Sequence, residues 1–198
     1  MTLMENVVLI TGAGQRVGLH LVRQFLANTD YPVVITYRTN RNEIDQLEKL
    51  GVQCDCVDFN DSYSLDAWLN NLPTRIKSIR AIIHNASIWV KDEVIEQNPD
   101  LAKQLWQVHV MAPLKINQAL RPLCLASTSN HKDIIYMTDA FCQKPKGQYV
   151  TYLGSKSAMQ QQAKNLAIQY APDIKVNDIA PGLLMFHSHD SDAYRQQR

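Results

Sequence analysis

Tyr152 and Lys156 stand four residues apart, a spacing that places both side chains on one face of a helix. A free tyrosine titrates at about pH 10, too high for an efficient proton donor at neutral pH. An ammonium one turn away favours the phenolate, so Lys156 is expected to draw the Tyr152 phenol toward a working range for general acid catalysis. Thirteen residues before Tyr152, Asp139 follows the apolar run Ile134-Ile135-Tyr136-Met137-Thr138. An ionised carboxylate only accepts hydrogen bonds, so it polarises a carbonyl badly and suits a substrate that carries N–H donors. It is also placed to relay a proton with Tyr152.

A second group lies near the other end of the chain. Residues 11–18 read Thr-Gly-Ala-Gly-Gln-Arg-Val-Gly, directly after the apolar run Val7-Val8-Leu9-Ile10. A strand-to-helix turn of this composition holds a dinucleotide pyrophosphate. Gly12 permits the tight turn, Gly14 leaves an unhindered approach, and Gly18 lets the helix pack on the strand. Backbone N–H groups at the helix start, Val17 among them, meet phosphate. The run Ile35-Thr36-Tyr37-Arg38-Thr39 ends a second strand without the acid that would hold a free ribose 2′-hydroxyl. Arg38 is there instead, and Arg16 sits in the phosphate turn. Two guanidinium groups suit a 2′-phosphate, so the expected cofactor is NADPH rather than NADH.

The elements that position these residues alternate. Strands are expected at 7–11, 33–37, 54–58, 81–85, 134–138 and 175–180, and helices at about 17–27, 43–50, 64–72, 101–125 and 149–170. Apolar runs without polar alternation imply strands buried on both faces, hence a parallel sheet covered by helices. Right-handed crossovers make this a doubly wound α/β sheet with ligands at the carboxyl ends of the strands, where the candidate residues fall. Pro113 is expected to kink or split the long fourth helix.

With 198 residues, 45% apolar and 20% charged, the chain reads as one domain over 1–198. A net charge of +1 gives no electrostatic reason for a nucleic-acid or anionic-membrane partner. No apolar run reaches the roughly 18 residues of a membrane span, and the first residues do not read as a signal peptide. Cytoplasm is the expected location. Cys54, Cys56, Cys124 and Cys142 show neither a C-x-x-C pair nor zinc spacing and are expected to be buried, reduced thiols. His187-x-His189-Asp190 has a metal-like spacing, but it is read as a polar loop over the substrate, and no metal is assigned.

Together the turn at 11–18 and the Tyr152/Lys156 pair resemble the short-chain dehydrogenase/reductase family, whose turn reads T-G-x-x-x-G-x-G; Arg16 stands at its middle Gly. Asp58 matches the family's acid against the adenine, with capping of the turn at Asn60-Asp61 as the other reading. His84-Asn85-Ala86-Ser87 resembles the N-N-A-G segment, whose Asn–Ala backbone lines the cofactor. Pro181-Gly182 resembles the P-G turn beside the nicotinamide, and Lys156 the lysine that holds the nicotinamide ribose. Two departures stand out. Asp139 replaces the family's Ser, and His109 replaces an Asn in the fourth helix, either to organise Lys156 and a water chain or merely as a packed histidine.

Arg16, the run Asn85-Ala86-Ser87-Ile88-Trp89, Asp139, and Tyr149 with Tyr152 and Lys156 look in combination like the pteridine reductases. Tyr37-Arg38-Thr39, residues 80–87, Lys175-Val176-Asn177 and Tyr194-Arg195-Gln196-Gln197 agree, so the resemblance covers nearly the whole chain. It implies a Rossmann-type sheet of order 3-2-1-4-5-6 and a homo-oligomeric enzyme. The implied reaction is NADPH-dependent reduction of a dihydropterin, such as dihydromonapterin or dihydrofolate. Hydride would reach the carbon of a C=N bond, with Tyr152, Asp139 and Lys156 supplying the proton. Ser87, Asp139 and Tyr152 would meet the substrate edge, while Trp89 either stacks on the pterin or plugs a loop. The family's next helix and seventh strand are expected to be absent, by truncation or different assembly, leaving the sixth strand an open edge. A carbonyl reductase of the same family and a non-catalytic NADPH-binding regulator are the alternatives.

Overall fold

The computed structural model describes residues 2–144, 147–185 and 191–196, so His187, His189, Asp190 and Gln197 lie outside the described residues. Six parallel strands form one sheet: β1 (Val7–Ile10), β2 (Val33–Tyr37), β3 (Gln53–Cys56), β4 (Ile79–His84), β5 (Asp133–Met137) and β6 (Lys175–Ile179). Their order is β3-β2-β1-β4-β5-β6, as expected.

Every residue of β1 is buried, and strand alternation sends neighbours to opposite faces. Val8 and Ile10 join Val22 of α1 (Arg16–Asn28) and Ile44 and Leu47 of α2 (Asn42–Lys49) in one core layer. Val7 and Leu9 join the other layer, with Trp68 of α3 (Ser62–Asn71), Ile116 and Leu120 of α6 (Ala112–Leu125), and Met159 of α7 (Val150–Tyr170). The chain leaves the β3 edge through α3 and returns to pair β4 beside β1. That reversal opens a crevice at the carboxyl ends of β1 and β4.

The fourth helix differs from its expectation. A short α4 (Asp92–Gln97) precedes α5 (Asp100–Trp106), and a π turn at Gln107–Met111 joins α5 to α6. Pro113 does not split the helix. The Ala112 N–H donates five residues back to the Gln107 carbonyl, and Pro113 then falls in the first turn of α6, where a missing N–H is tolerated. The π turn keeps three consecutive residues buried, Val108, His109 and Val110.

The thiols also differ. Only Cys124 is buried; Cys54 and Cys142 are half-buried and Cys56 is exposed, although all four are free. Cys54 and Cys56 lie on β3, which among the described residues is an edge strand of the sheet. Burial pushes the Cys124 thiol up to about 12, so it is inert near neutral pH. Among the described residues, β6 has no strand beyond it, and no helix is long and apolar enough to cross a membrane. A last helix, α8, spans Asp192–Gln196.

Candidate active site

The β1–α1 turn is shaped by contacts that exclude side chains. Gly12 has φ +64°, and a Cβ there would stand 2.6 Å from the Ala86 Cα. A Cβ on Gly18 would stand 2.6 Å from the Ala13 Cα and 2.8 Å from the Gly12 carbonyl oxygen. Thr11 Oγ1 accepts from the Asn85 and Ala86 amides at 3.1 Å. The Asn85 side chain donates to the Thr11 and Gly12 carbonyls at 3.0 Å. Asn85 thus clamps the turn, while Ala86 and Ser87 line the groove in front of it. Gln15, at the start of α1, makes no side-chain capping bond to the first turn of the helix.

Gly12, Gly14, Thr36, Arg38, Arg41, Asp58 and Ala86 wall that groove. Val17 and Gly18 lie on the first turn of α1 and do not line the groove. Arg16 occupies the family's Gly position with φ +52°, and its guanidinium donates to the Met185 carbonyl at 3.1 Å. Arg41 joins Arg38 on the wall, and sequence reasoning missed it because its place depends on the path from β2 into α2. Asp58 meets both of its readings: it lines the groove, and its Oδ1 accepts from the Asn60 amide at 2.9 Å. The Pro181 carbonyl accepts from the Ala140 amide at 3.0 Å, which holds the turn at Pro181 and Gly182 beside Asp139.

At the other end of the cleft, Tyr152 is 6% exposed and its hydroxyl donates to Asp139 Oδ2 at 2.9 Å. Asp139 Oδ1 accepts from the Phe141 amide at 2.8 Å. Lys156 is buried, donates to the Met137 carbonyl at 2.8 Å, and lies 6.0 Å from the centre of the Tyr152 ring. The expected lowering of the Tyr152 pKa is not found. Burial and then the Asp139 carboxylate push it up, so the phenol keeps its proton. Lys156 moves instead: burial lowers its ammonium to about 8, with Asp139 opposing.

Three supports were not legible in the sequence. The Asp92 carboxylate accepts from the Val150 and Thr151 amides at 2.6 and 3.2 Å, so it caps α7 from another helix. His109 is fully buried and bonds Ser87, Ile88 and Ser155, not Lys156. Beneath the end of β4, His84 Nε2 lies 2.8 Å from Asn117 Oδ1, and Asn117 donates to the Tyr136 hydroxyl at 2.7 Å. Burial lowers His84 to about 4, so it is neutral near pH 7 and serves as core. Trp89 is 57% exposed and stacks on Tyr149 with ring centres 5.2 Å apart. Among the described residues no cluster of three metal-ligating side chains occurs.

A parallel sheet with a glycine turn after β1, arginines beyond β2, and a tyrosine and lysine reaching the cleft from α7 defines an oxidoreductase of the short-chain dehydrogenase type. The chain belongs to that family: residues 6–194 match its short chain dehydrogenase profile. A dihydromonapterin reductase from Shigella boydii serotype 4 (strain Sb227) is 36% identical over 190 residues, which cover 96% of this chain and 79% of that one. The dihydromonapterin reductase of Escherichia coli O6:K15:H31 (strain 536 / UPEC) matches to the same extent, 36% over 190 residues, with 96% and 79% covered. Among solved structures, FolM alternative dihydrofolate reductase 1 from Brucella suis, in complex with NADP, is 26% identical with a TM-score of 0.74, over 89% of this chain and 75% of that one. A short chain dehydrogenase from Escherichia coli CFT073 complexed with NADPH shares the fold, with a TM-score of 0.78 at 23% identity over 91% and 78% of the two chains. The resemblance read from the motifs therefore holds.

Proposed function

We propose that the chain reduces a dihydropterin, such as dihydromonapterin or dihydrofolate, at the expense of NADPH. The observation that carries this reading is the Tyr152–Asp139 pair: a carboxylate 2.9 Å from the phenol stands where a carbonyl reductase needs a hydroxyl donor. The names of the similar reductases point the same way.

The groove suits the cofactor, since the main-chain approach at Gly12 and the start of α1, which Gln15 does not cap, would be blocked by larger or capping side chains. These groups would hold the pyrophosphate. Arg38 and Arg41 would hold the 2′-phosphate, the free oxygen of Asp58 the adenine, and Lys156 the nicotinamide ribose beside Pro181 and Gly182. When bound, NADPH supplies the hydride for the carbon of a C=N bond.

Tyr152 Oη holds the proton for the adjacent nitrogen. Burial and Asp139 keep it on the phenol at neutral pH, and Asp139, itself held by the Phe141 amide, orients that O–H. Once the proton has moved to the substrate, Asp139 relays its replacement. Trp89 and Ser87 frame the substrate, the first as a flat apolar face and the second through its oxygen. The working form is a single reductase domain in a cytoplasmic homo-oligomer.

The direct test is NADPH oxidation by purified protein with dihydromonapterin, dihydrofolate and a simple ketone. A dihydropterin is expected to drive turnover and the ketone is not. Asp139→Ser should cost about a hundredfold in dihydropterin kcat. Turnover of ketones alone would make the chain a carbonyl reductase, and tight NADPH binding without turnover would make it a regulator.

A further inference from the structure

His109 lies fully buried on the π turn, with both ring nitrogens hydrogen-bonded. Nε2 is 3.2 Å from the Ile88 amide and 2.8 Å from Ser87 Oγ. Nδ1 is 2.8 Å from Ser155 Oγ, which is 2.7 Å from the Tyr152 carbonyl oxygen. Each end of this chain of bonds has one polarity only. A backbone amide can only donate, so Nε2 must offer its lone pair to Ile88. A carbonyl can only accept, so Ser155 gives its single proton to Tyr152 and must accept from Nδ1–H. Two independent constraints thus select the same neutral tautomer. Burial, with Lys156 adding to it, holds the ring well below its ordinary pKa and keeps it in that form.

The tautomer dictates the polarity of Ser87. With Nε2 bare, the Ser87 hydroxyl must donate to make its 2.8 Å bond to His109, which turns its lone pairs toward Tyr152, its other side-chain partner. Its oxygen, on the wall of the groove, is left with lone pairs alone. The Asp139 carboxylate at the reaction end is also an acceptor.

We propose that His109 is a specificity-determining positioning residue: its Nδ1–H tautomer makes Ser87 an obligate acceptor, so the site favours substrates that present N–H donors over those that present a carbonyl oxygen. This rests on the dihydropterin reading above and deepens it. A 2-amino-pyrimidinone edge carries such donors, and a simple ketone has none. Ser87 is exposed on the groove wall, so a ligand with no donor there gives up a hydrogen bond that water keeps.

The tautomer can be read without a variant. In protein carrying 15N-labelled histidine, Nδ1 of His109 is expected to be protonated and Nε2 bare, with no titration between about pH 5 and 8. A protonated Nε2, or a ring that titrates in that window, overturns the proposal whatever the substrate proves to be. Two variants then separate polarity from packing. His109→Gln carries a carbonyl oxygen that reaches toward the Nε2 position, and it should keep the wild-type preference for dihydromonapterin over a simple ketone. His109→Asn is too short to reach Ser87 and frees its hydroxyl to donate. Its KM for dihydromonapterin should rise about tenfold with kcat within about threefold, while ketone reduction rises relative to it. An unchanged preference in His109→Asn, or equal losses on both substrates in both variants, overturns the role. Failure of both dihydropterins with the wild type would overturn the functional reading and the substrate half of this proposal. The tautomer itself falls only to the nitrogen spectrum.

Discussion

Between β1 and β3 the cleft is walled by main chain and by arginines at its mouth, whereas between β4, β5 and α7 it is walled by side chains that bond across distant parts of the chain. At the first end, shape comes from what cannot be there: a Cβ on Gly12 or Gly18 would fall 2.6 Å from another residue's Cα. At the second end, shape comes from protons that have one place to go, as in the line from Ile88 through His109 and Ser155 to Tyr152. Steric exclusion tolerates many neighbouring residues so long as the glycines stay. A hydrogen-bond line fails when any one member changes polarity. The cofactor end is therefore built for a generic ligand, and the reaction end for a particular one.

If the two ends are separable, the largest effect comes from Tyr152→Phe. It removes the proton held 2.9 Å from Asp139 Oδ2, and kcat with a dihydropterin should fall about a thousandfold. NADPH affinity, measured by fluorescence titration, should change less than about threefold. A parallel loss of NADPH binding would break the division. The matching change at the other end is Arg38→Ala with Arg41→Ala, which should cost about a hundredfold in the kcat/KM preference for NADPH over NADH. A double variant that keeps its preference would move the 2′-phosphate elsewhere, with Arg16 the next place to look.

Lys156, proposed above to hold the nicotinamide ribose beside Tyr152, can be read by pH. Its ordinary pKa of 10.5 is lowered to about 8, so the ammonium is present below that pH and lost above it. An alkaline limb in kcat/KM is expected above about pH 8, steepening to about tenfold per unit. Tyr152, pushed upward, holds its proton across the same range and is not the source of the limb. Lys156→Arg should remove the limb even if it lowers activity, and a limb that persists would be assigned to another group.

The smallest effect expected is at Asp92. Burial raises its pKa, but hydrogen bonds from the Val150 and Thr151 amides and from the Thr151 side chain outweigh that and hold the carboxyl below its usual range. Its stabilisation is present above the ordinary carboxylate range and is lost as pH falls through the folded-state value. Asp92→Ala should lower Tm by about 2–4 °C at neutral pH, with kcat within about threefold, and the two proteins should converge in acid. A larger loss of kcat than of stability would mean that Asp92 aims Tyr152 rather than merely capping α7.

The strand order, the glycine turn and the Tyr152, Lys156 and Asp139 positions were readable because each rests on local spacing or on the alternation of strand and helix. Other expectations depended on where the chain travels. Arg16 lies in the turn and its guanidinium donates to the Met185 carbonyl, while Arg41, from the next loop, lines the groove beside Arg38. Pro113 seemed a break, and the π turn before it re-registers the helix instead. Lys156 seemed set to lower the Tyr152 pKa. In the fold, burial and a carboxylate in hydrogen-bond contact outweigh an ammonium whose nitrogen is 6.0 Å from the ring.

Residue identity alone determined which groups could hold a phosphate turn, donate a proton or accept an N–H, since those capacities belong to the side chain and to short-range geometry. Only the tertiary structure decided how the protons are shared. The tautomer of His109, the acceptor polarity of Ser87 and the cap that Asp92 places on α7 each join residues far apart in the chain, 58 residues apart between Asp92 and Val150. A hydrogen bond's direction depends on every partner around it, and those partners meet only once the sheet and its helices have closed.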